Sequence, residues 1–302
     1  MATSITIATP AFGEMFYTPY VQSVLRLQRA ALARNWSIRH ATVSYAYISD
    51  SRNYLLTHWY DKTDSSHLLF VDADMGFDPQ LIFDMVAFDK PVTGVIYTKR
   101  QVNLMKLAEL AAKGEPPERA IARAHDFIVR PLRGRPPRRT RGFIEVEGCG
   151  TGIMLIKRET VTTMLEKLPA INDTNAKKTS PMTAGLDRLI RAFDVIEVDG
   201  APLVDDFAFC HRWQKLCEGE LWARADQSVT HIGLHKYGSR FTDAGLQPRI
   251  TVTKGTPQRV VRGQLAVNGK GTNGKNGNGA PKVVTGRLPL PQKAEKAEPD
   301  ER

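Results

Sequence analysis

The sequence predicts an α/β domain with a mainly parallel central sheet flanked by helices, and three observations point there. Short β-branched or apolar runs alternate with amphipathic stretches of helical length through the first hundred residues, the pattern of βα units. Leu68 to Val71 is an unbroken apolar run, as a strand covered on both faces must be. That run ends at once in Asp72-Ala73-Asp74 and then Asp78-Pro79, a strand, acidic turn and helix start. In open α/β sheets ligands bind at such carboxyl ends of strands.

Each element has its own signal. Ser4 to Thr9 alternates and is rich in Ile and Thr, a first strand that Pro10 and Gly13 turn. Residues 18–34 place Val21, Val24, Leu25, Leu27, Leu32 and Ala33 on a broad apolar face, predicting a helix. Ile38 to Ile48 reads as a second strand region, and Asp50-Ser51-Arg52-Asn53 leads into a helix through Tyr60. After the acidic strand, Asp78 is placed to cap a helix and Pro79 to occupy its first position, where a missing N–H costs nothing; that helix ends near Asp89. Pro91 to Tyr97 is a fourth strand. Two amphipathic helices fill 103–129, broken by Gly114-Glu115-Pro116-Pro117, and Arg130 to Arg141 reads as a loop. Phe143 to Glu147 and Ile153 to Ile156 are strand-like around Gly148-Cys149-Gly150-Thr151-Gly152. Arg158 to Leu168 is a helix, 172–185 a polar mobile stretch, and Phe193 to Val198 a strand. A helix follows over Phe207 to Leu216, and Ser228 to Ile232 is a last short strand.

At 302 residues the chain can hold one large α/β domain, assigned here to residues 1–250. No run approaches the roughly 20 apolar residues that span a bilayer, and no basic segment followed by an apolar core opens the chain. Cys149, Cys210 and Cys217 lack CxxC spacing and cannot all pair, which fits a reducing compartment. A cytoplasmic location is expected, with the inner face of a membrane as a peripheral alternative. The net charge of +10 is unevenly placed. Residues 99–142 hold 12 Lys and Arg against 4 acids, and 251–302 hold 10 against 4, so an insertion at about 101–141 and a tail carry the basicity. The tail is rich in Gly, Asn, Lys and Pro and buries too little apolar surface to offset its chain entropy; disorder is expected for 251–302.

Four groups of residues carry candidate chemistry. Asp72 and Asp74, at i and i+2, lie on one side of an extended chain and present oxygen ligands to a hard cation; a capping turn is the structural alternative. Small residues in Gly148–Gly152 permit close approach of a ligand to backbone, or simply form a β-turn. Asp205-Asp206 falls at a helix start, a place that capping and the helix dipole favour for acids. His231 is a metal-ligand type, though a lone His near a strand end also serves structure, and Lys236, Tyr237 and Arg240 follow it on a basic loop suited to phosphate.

In combination these residues resemble the GT-A class of nucleotide-sugar glycosyltransferases, in particular glycosyltransferase family 2, over residues 4–245 apart from the basic insertion. The resemblance implies a Rossmann-like GT-A fold. It implies that Thr9-Pro10 and Arg52-Asn53 lie at the nucleotide donor and that Asp72 and Asp74 hold Mn²⁺ or Mg²⁺ on its diphosphate. Gly150, Thr151, Gly152 and Lys236 would line the donor, and His231 would add a metal ligand. Asp206 would be the base of an inverting enzyme with Asp205 as its neighbour, where the family more often has Glu. The expected partners are a nucleoside-diphosphate sugar and a glycan, lipid-linked or other hydroxyl acceptor, with a polyanion contact through insertion and tail.

Two alternatives compete. Nucleotidyl transfer also uses paired acids, but wants a Gly/Arg/Lys-rich loop after the first strand, whereas Pro10 to Tyr20 holds one glycine and no Lys or Arg. A nucleic-acid-binding protein would use the insertion and tail as a salt-sensitive polycation, yet Phe127 is the insertion's one aromatic and stacking needs several.

Overall fold

The computed structural model describes residues 3–176, 183 and 185–233. In chain order the strands are β1 (Ser4–Pro10), β2 (Ser37–Val43), β3 (His67–Val71), β4 (Met75–Gly76), β5 (Val92–Val95), β6 (Thr98–Val102), β7 (His125–Phe127), β8 (Val129–Pro131), β9 (Arg139–Thr140), β10 (Phe143–Cys149) and β11 (Ile153–Lys157). They continue with β12 (Asn172–Asp173), β13 (Leu189–Ile190), β14 (Ile196–Val198), β15 (Ala201–Leu203), β16 (Leu221–Arg224) and β17 (Thr230–His231). The helices are α1 (Thr18–Leu32), α2 (Ile48–Lys62), α3 (Pro79–Phe88), α4 (Leu104–Ala112), α5 (Pro117–Ala124), α6 (Arg158–Lys167) and α7 (Asp205–His211).

The central sheet runs β2-β1-β3-β11-β5-β16-β10-β8, with β9 beside β10. β2, β1, β3, β5, β16 and β8 point one way, and β11 and β10 run against them. The α/β class with a mainly one-directional sheet flanked by helices is therefore what the chain adopts. Apolar side chains of the strands divide between two cores, one on each face. Phe70, Phe193 and Phe209 anchor the first, with rings of Phe193 and Phe209 stacked at 4.8 Å. Leu27, Phe88, Phe143 and Trp222 anchor the second. As the sequence implies, Asp78 caps α3 by accepting from the Gln80 amide at 2.8 Å, with Pro79 at the first turn.

Several boundaries differ from the sequence reading. β2 stops at Val43 and α2 already begins at Ile48, because Tyr45, Tyr47 and Ile48 extend the β-like composition past the turn. β16 enters the middle of the sheet between β5 and β10; its four residues, Leu-Trp-Ala-Arg, are too few for a period to show. The expected strand 193–198 is confined to β14, paired with β15 in a small hairpin, because the Phe193 ring is drawn into the core. The Arg130–Arg141 loop contains β8 and β9, which pair with β10. The helix expected from Phe207 starts at Asp205 and widens into a π-helical turn over Arg212–Leu216.

The basic insertion is a hairpin of β6 and β7 carrying the helix pair α4 and α5, followed by β8 on the sheet edge. Arg135 and Arg138 both donate to the Glu145 carboxylate, at 2.5 and 3.0 Å, and Arg138 also reaches Glu220 at 2.6 Å. Those guanidinium groups hold Glu145 down to about 2, so part of the insertion's charge is spent on its own attachment. Among the described residues no helix is long and apolar enough to cross a membrane. Residues 177–182 and 184 of the expected mobile stretch, Lys236, Tyr237, Arg240 and the 251–302 tail lie outside the described residues.

Candidate active site

The site forms where β1, β3 and β5 end and β11 begins. The chain leaves β3 at Asp72, whose amide donates to the Gly152 carbonyl at 3.0 Å. It turns through a Met75 amide bond to the Asp72 carbonyl, also 3.0 Å, into β4. β17 then pairs with β4, His231 opposite Met75, and the Ile232 amide donates to the Asp74 carbonyl at 3.0 Å. Pairing of two very short strands thus brings a histidine about 160 residues later in the chain beside the acidic turn.

Asp72 and Asp74 face different partners. Arg52 Nη2 lies 3.1 Å from both Asp72 oxygens, and Nη1 of the same guanidinium is bonded to Asp205. The Arg52 side chain is 4 % exposed; burial pulls its pKa down, but Asp72, Asp205 and Asp206 outweigh it and keep the guanidinium charged. Asp74 instead accepts from Arg100 Nη1 at 3.0 Å and lies 3.6 Å from His231 Nε2. The acidic turn is therefore split between a buried cation on α2 and a half-exposed one on β6.

Asp205 and Asp206 start α7. Asp205 has a left-handed backbone, φ 49°, and its Oδ1 is buried without a hydrogen-bond partner. Burial raises the Asp205 pKa although Arg52 works against it. Asp206 makes no ion pair among the described residues. Burial, reinforced by Asp205 and Asp72, lifts it to about 6, despite the pull of Arg52 and a facing Thr151 amide. A carboxylate tuned towards neutrality and free of a basic contact is equipped to take a proton.

The Gly150–Gly152 turn closes the site from the sheet side. The Tyr97 hydroxyl accepts from the Gly152 amide at 3.0 Å, and a Cβ on either Gly150 or Gly152 would overlap that hydroxyl. Glycine is required here for close approach, not for backbone conformation. Tyr97 also stands edge-on to the His231 ring, 5.2 Å between centroids. The Thr151 hydroxyl is buried without a partner.

Other expected residues sit further from the open edge. Thr9 is fully buried, its hydroxyl paired with Tyr20 at 2.7 Å, and Pro10 ends β1. Asn53 is buried with both ends of its amide engaged, to Asp194 at 2.6 Å and to the Phe193 amide at 2.9 Å. It fixes the segment after β13 rather than presenting itself to a ligand. Tyr97 and Arg100 are site residues that the sequence reading did not single out. Tyr97 ends a visible strand, but nothing in Lys99-Arg100 distinguishes one insertion cation from the others.

The donors beside the acidic turn, Asp72, Asp74 and the His231 imidazole, are of types that divalent cations accept. Among the described residues no three His, Cys, Asp or Glu side chains stand together as a complete ligand set. However, the Thr98 carbonyl takes the His231 Nδ1–H at 2.7 Å, leaving Nε2 directed at the Asp74 carboxylate. A ligating histidine commonly has its other nitrogen fixed in this way. Burial lowers the His231 pKa, but the contacts with Asp74 and Thr98 raise it more. Asp72, Asp74, Asp205 and Asp206 stand against Arg52, Arg100 and, when protonated, His231, so one or two negative charges are left to be balanced when all four acids are ionised.

No protein-family model matches the chain, and no curated protein matches it. Solved structures to which it is similar include A197 from STIV, at 15 % identity over 80 % of this chain and 98 % of that one, TM-score 0.39. They also include S. aureus TarS 1–349 in complex with UDP-GlcNAc, at 10 % identity over 79 % and 60 %, TM-score 0.37. The inositol-1-phosphate CTP transferase from T. maritima is similar at 10 % identity over 77 % and 89 %, TM-score 0.35.

Proposed function

We propose that the chain is a metal-dependent glycosyltransferase, moving a sugar from a nucleoside-diphosphate sugar to an acceptor hydroxyl with inversion. The observation that carries this reading is that the pKa-raised Asp206, which makes no ion pair among the described residues, faces the Thr151 amide of the Gly150–Gly152 turn, while Tyr97, bonded to Gly152 of that turn, stands against His231 of the Asp74–His231 pair. Asp206 takes the acceptor hydroxyl proton as that oxygen bonds to the anomeric carbon, and the electron pair of the breaking bond leaves with the diphosphate. Asp205, held by Arg52, keeps the start of α7 in place beside it. Asp74 and His231 would hold Mn²⁺ or Mg²⁺, joined by Asp72 where Arg52 releases it. A bound divalent ion supplies charge stabilisation to the diphosphate leaving group.

Pro10 and the Gly150–Thr151–Gly152 backbone are proposed to line the donor, and Arg100 to face its diphosphate. Lys236 is assigned to the same diphosphate by the family resemblance alone. Nucleotidyl transfer fits less well, since the 10–20 segment has no Lys or Arg to grip a triphosphate. The test is turnover of a panel of nucleoside-diphosphate sugars with Mn²⁺ present. Asp206→Asn should lower turnover by about 10²–10⁴-fold while nucleoside diphosphate still binds. Undiminished turnover in that variant removes the base assignment.

A further inference from the structure

A cavity of about 530 Å³ lies where the turn after α6, the segment before β14 and the π-helical continuation of α7 meet, a size within the range of small-molecule sites. Neither Asp72, Asp74, Asp206 nor His231 lines it. Leu168, Ile171, Val195 and Leu216 give it aliphatic walls. Arg212 and Leu216, the two ends of the π-helical turn, both face it, and such turns recur at functional sites.

Arg212 carries more hydrogen-bond donors than the fold uses. The residue is 8 % exposed, and its Nη1 donates to the carbonyls of Ala192 and Asp194 at 3.0 and 2.6 Å. Among the described residues nothing accepts from its Nε or Nη2, and neither nitrogen is closed off from solvent. The other charges around the cavity are matched. Lys167 pairs with Glu218 at 3.3 Å, and Arg191 with Asp173 at 2.7 Å and Asp194 at 3.4 Å. Asp194 favours the charged form of Arg212, yet its two oxygens are taken by Asn53 and Arg191. Charge around the cavity therefore balances, and what singles out an anion is the free Nε–Nη2 edge, two parallel N–H groups in the geometry that a carboxylate accepts. A phosphate, with more charge, would want a second unpaired cation.

We propose that this cavity binds a small amphipathic monocarboxylate, its carboxylate on the Nε–Nη2 edge of Arg212 and its aliphatic body against Ile171, Val195 and Leu216. The cavity shares two supports with the proposed active site. α7 begins at Asp205 and Asp206 and runs on into Arg212, and Asn53, next to Arg52, holds the Phe193 amide and the Asp194 carboxylate. A molecule held at Arg212 meets none of the acids assigned to glycosyl transfer, so its binding is measured without turnover and stands or falls apart from that reading.

The experiment is calorimetric titration of the full chain with octanoate, with acetate as the head alone and 1-octanol as the body alone. Octanoate should bind about tenfold or more tightly than either, because charge-assisted hydrogen bonds and burial of an alkyl chain each contribute on that scale, and it should raise the melting temperature by mass action. Val195 is 58 % exposed, so Val195→Glu should leave the melting temperature of the free protein unchanged. By setting a second carboxylate beside the bound one it should weaken octanoate binding by about fivefold or more. Arg212→Gln keeps a donor for the two carbonyls and should erase the preference for octanoate over 1-octanol; if that variant does not fold, Val195→Glu still decides. Absence of octanoate binding, equal binding of octanoate and 1-octanol by the wild type, or octanoate binding undiminished in Val195→Glu overturns the proposal.

Discussion

Arg52 straddles Asp72, placing Nη2 3.1 Å from each carboxylate oxygen while Nη1 of the same group holds Asp205. One buried cation on α2 therefore ties the end of β3 to the start of α7, elements more than 130 residues apart in sequence. Removing it leaves two partly buried carboxylates, their side chains 25 % and 13 % exposed, without compensation. Arg52→Met should destabilise the fold by up to about 3 kcal/mol. Adding Asp205→Asn should recover part of that loss, because one of the stranded charges goes with it. Denaturant unfolding of the three variants checks this, and a double variant no more stable than Arg52→Met contradicts it.

Asp206 predicts a trade between stability and activity. Its pKa rises from 3.8 to about 6 on folding, so between those values the folded form holds a proton that the unfolded form has lost. Its contribution is fully present below 3.8, declines as pH rises through that window and is gone above about 6. The corresponding cost at neutral pH is at most roughly 3 kcal/mol. Asp206→Asn should accordingly raise the melting temperature at pH 7.5, with the gain shrinking as pH falls below about 6 and closed below about 3.8, while turnover is lost. In the wild type, turnover should fall on the acid side with an apparent pKa near 6. A variant with the same melting temperature as wild type at pH 7.5 would argue against a buried charge.

Metal binding should depend on Asp74 and His231 and be opposed by Arg100. The Arg100 guanidinium occupies Asp74 at 3.0 Å, in competition with any cation there. Asp74→Asn and His231→Ala should each weaken Mn²⁺ binding, measured calorimetrically, by about tenfold or more, the scale at which even outer-shell contacts act. Arg100→Ala should strengthen Mn²⁺ binding by a few-fold and weaken binding of a nucleoside diphosphate, since it frees one carboxylate and removes one phosphate partner. Parallel movement of both affinities would contradict the assigned position of Arg100.

Much of this arrangement was legible in the sequence because its signals are local. The apolar run into Asp72 and the Asp78-Pro79 helix start each declare a conformation within a few residues, and the small residues of 148–152 declare a close approach to the backbone. Asp205-Asp206 was legible as a helix start for the same reason. What the sequence withheld is non-local. β16 is four residues long and becomes central only by pairing with β5 and β10. Asn53 follows Arg52 directly, yet the helix turns one to Asp72 and the other to the Phe193 segment. That Arg100, among twelve Lys and Arg in residues 99–142, is the cation on Asp74 depends on the β6–β7 hairpin lying against β17, for which no local pattern exists.

The contact between Tyr97 and the glycine turn gives a prediction that does not depend on any substrate. The Tyr97 hydroxyl accepts from the buried Gly152 amide, so Tyr97→Phe strands that amide and should cost about 1–3 kcal/mol. Gly152→Ala should destabilise too, because its Cβ would overlap the same hydroxyl in a core packed without spare volume. The two losses share one cause: once the hydroxyl is absent, the new methyl meets less. The double variant should therefore be more stable than the sum of the single effects predicts, by at least about 0.5 kcal/mol, the coupling expected of residues in contact. Additive effects in denaturant unfolding would mean that the hydroxyl does not set the closeness of the turn, and the reason for glycine at 152 would have to lie in what binds there.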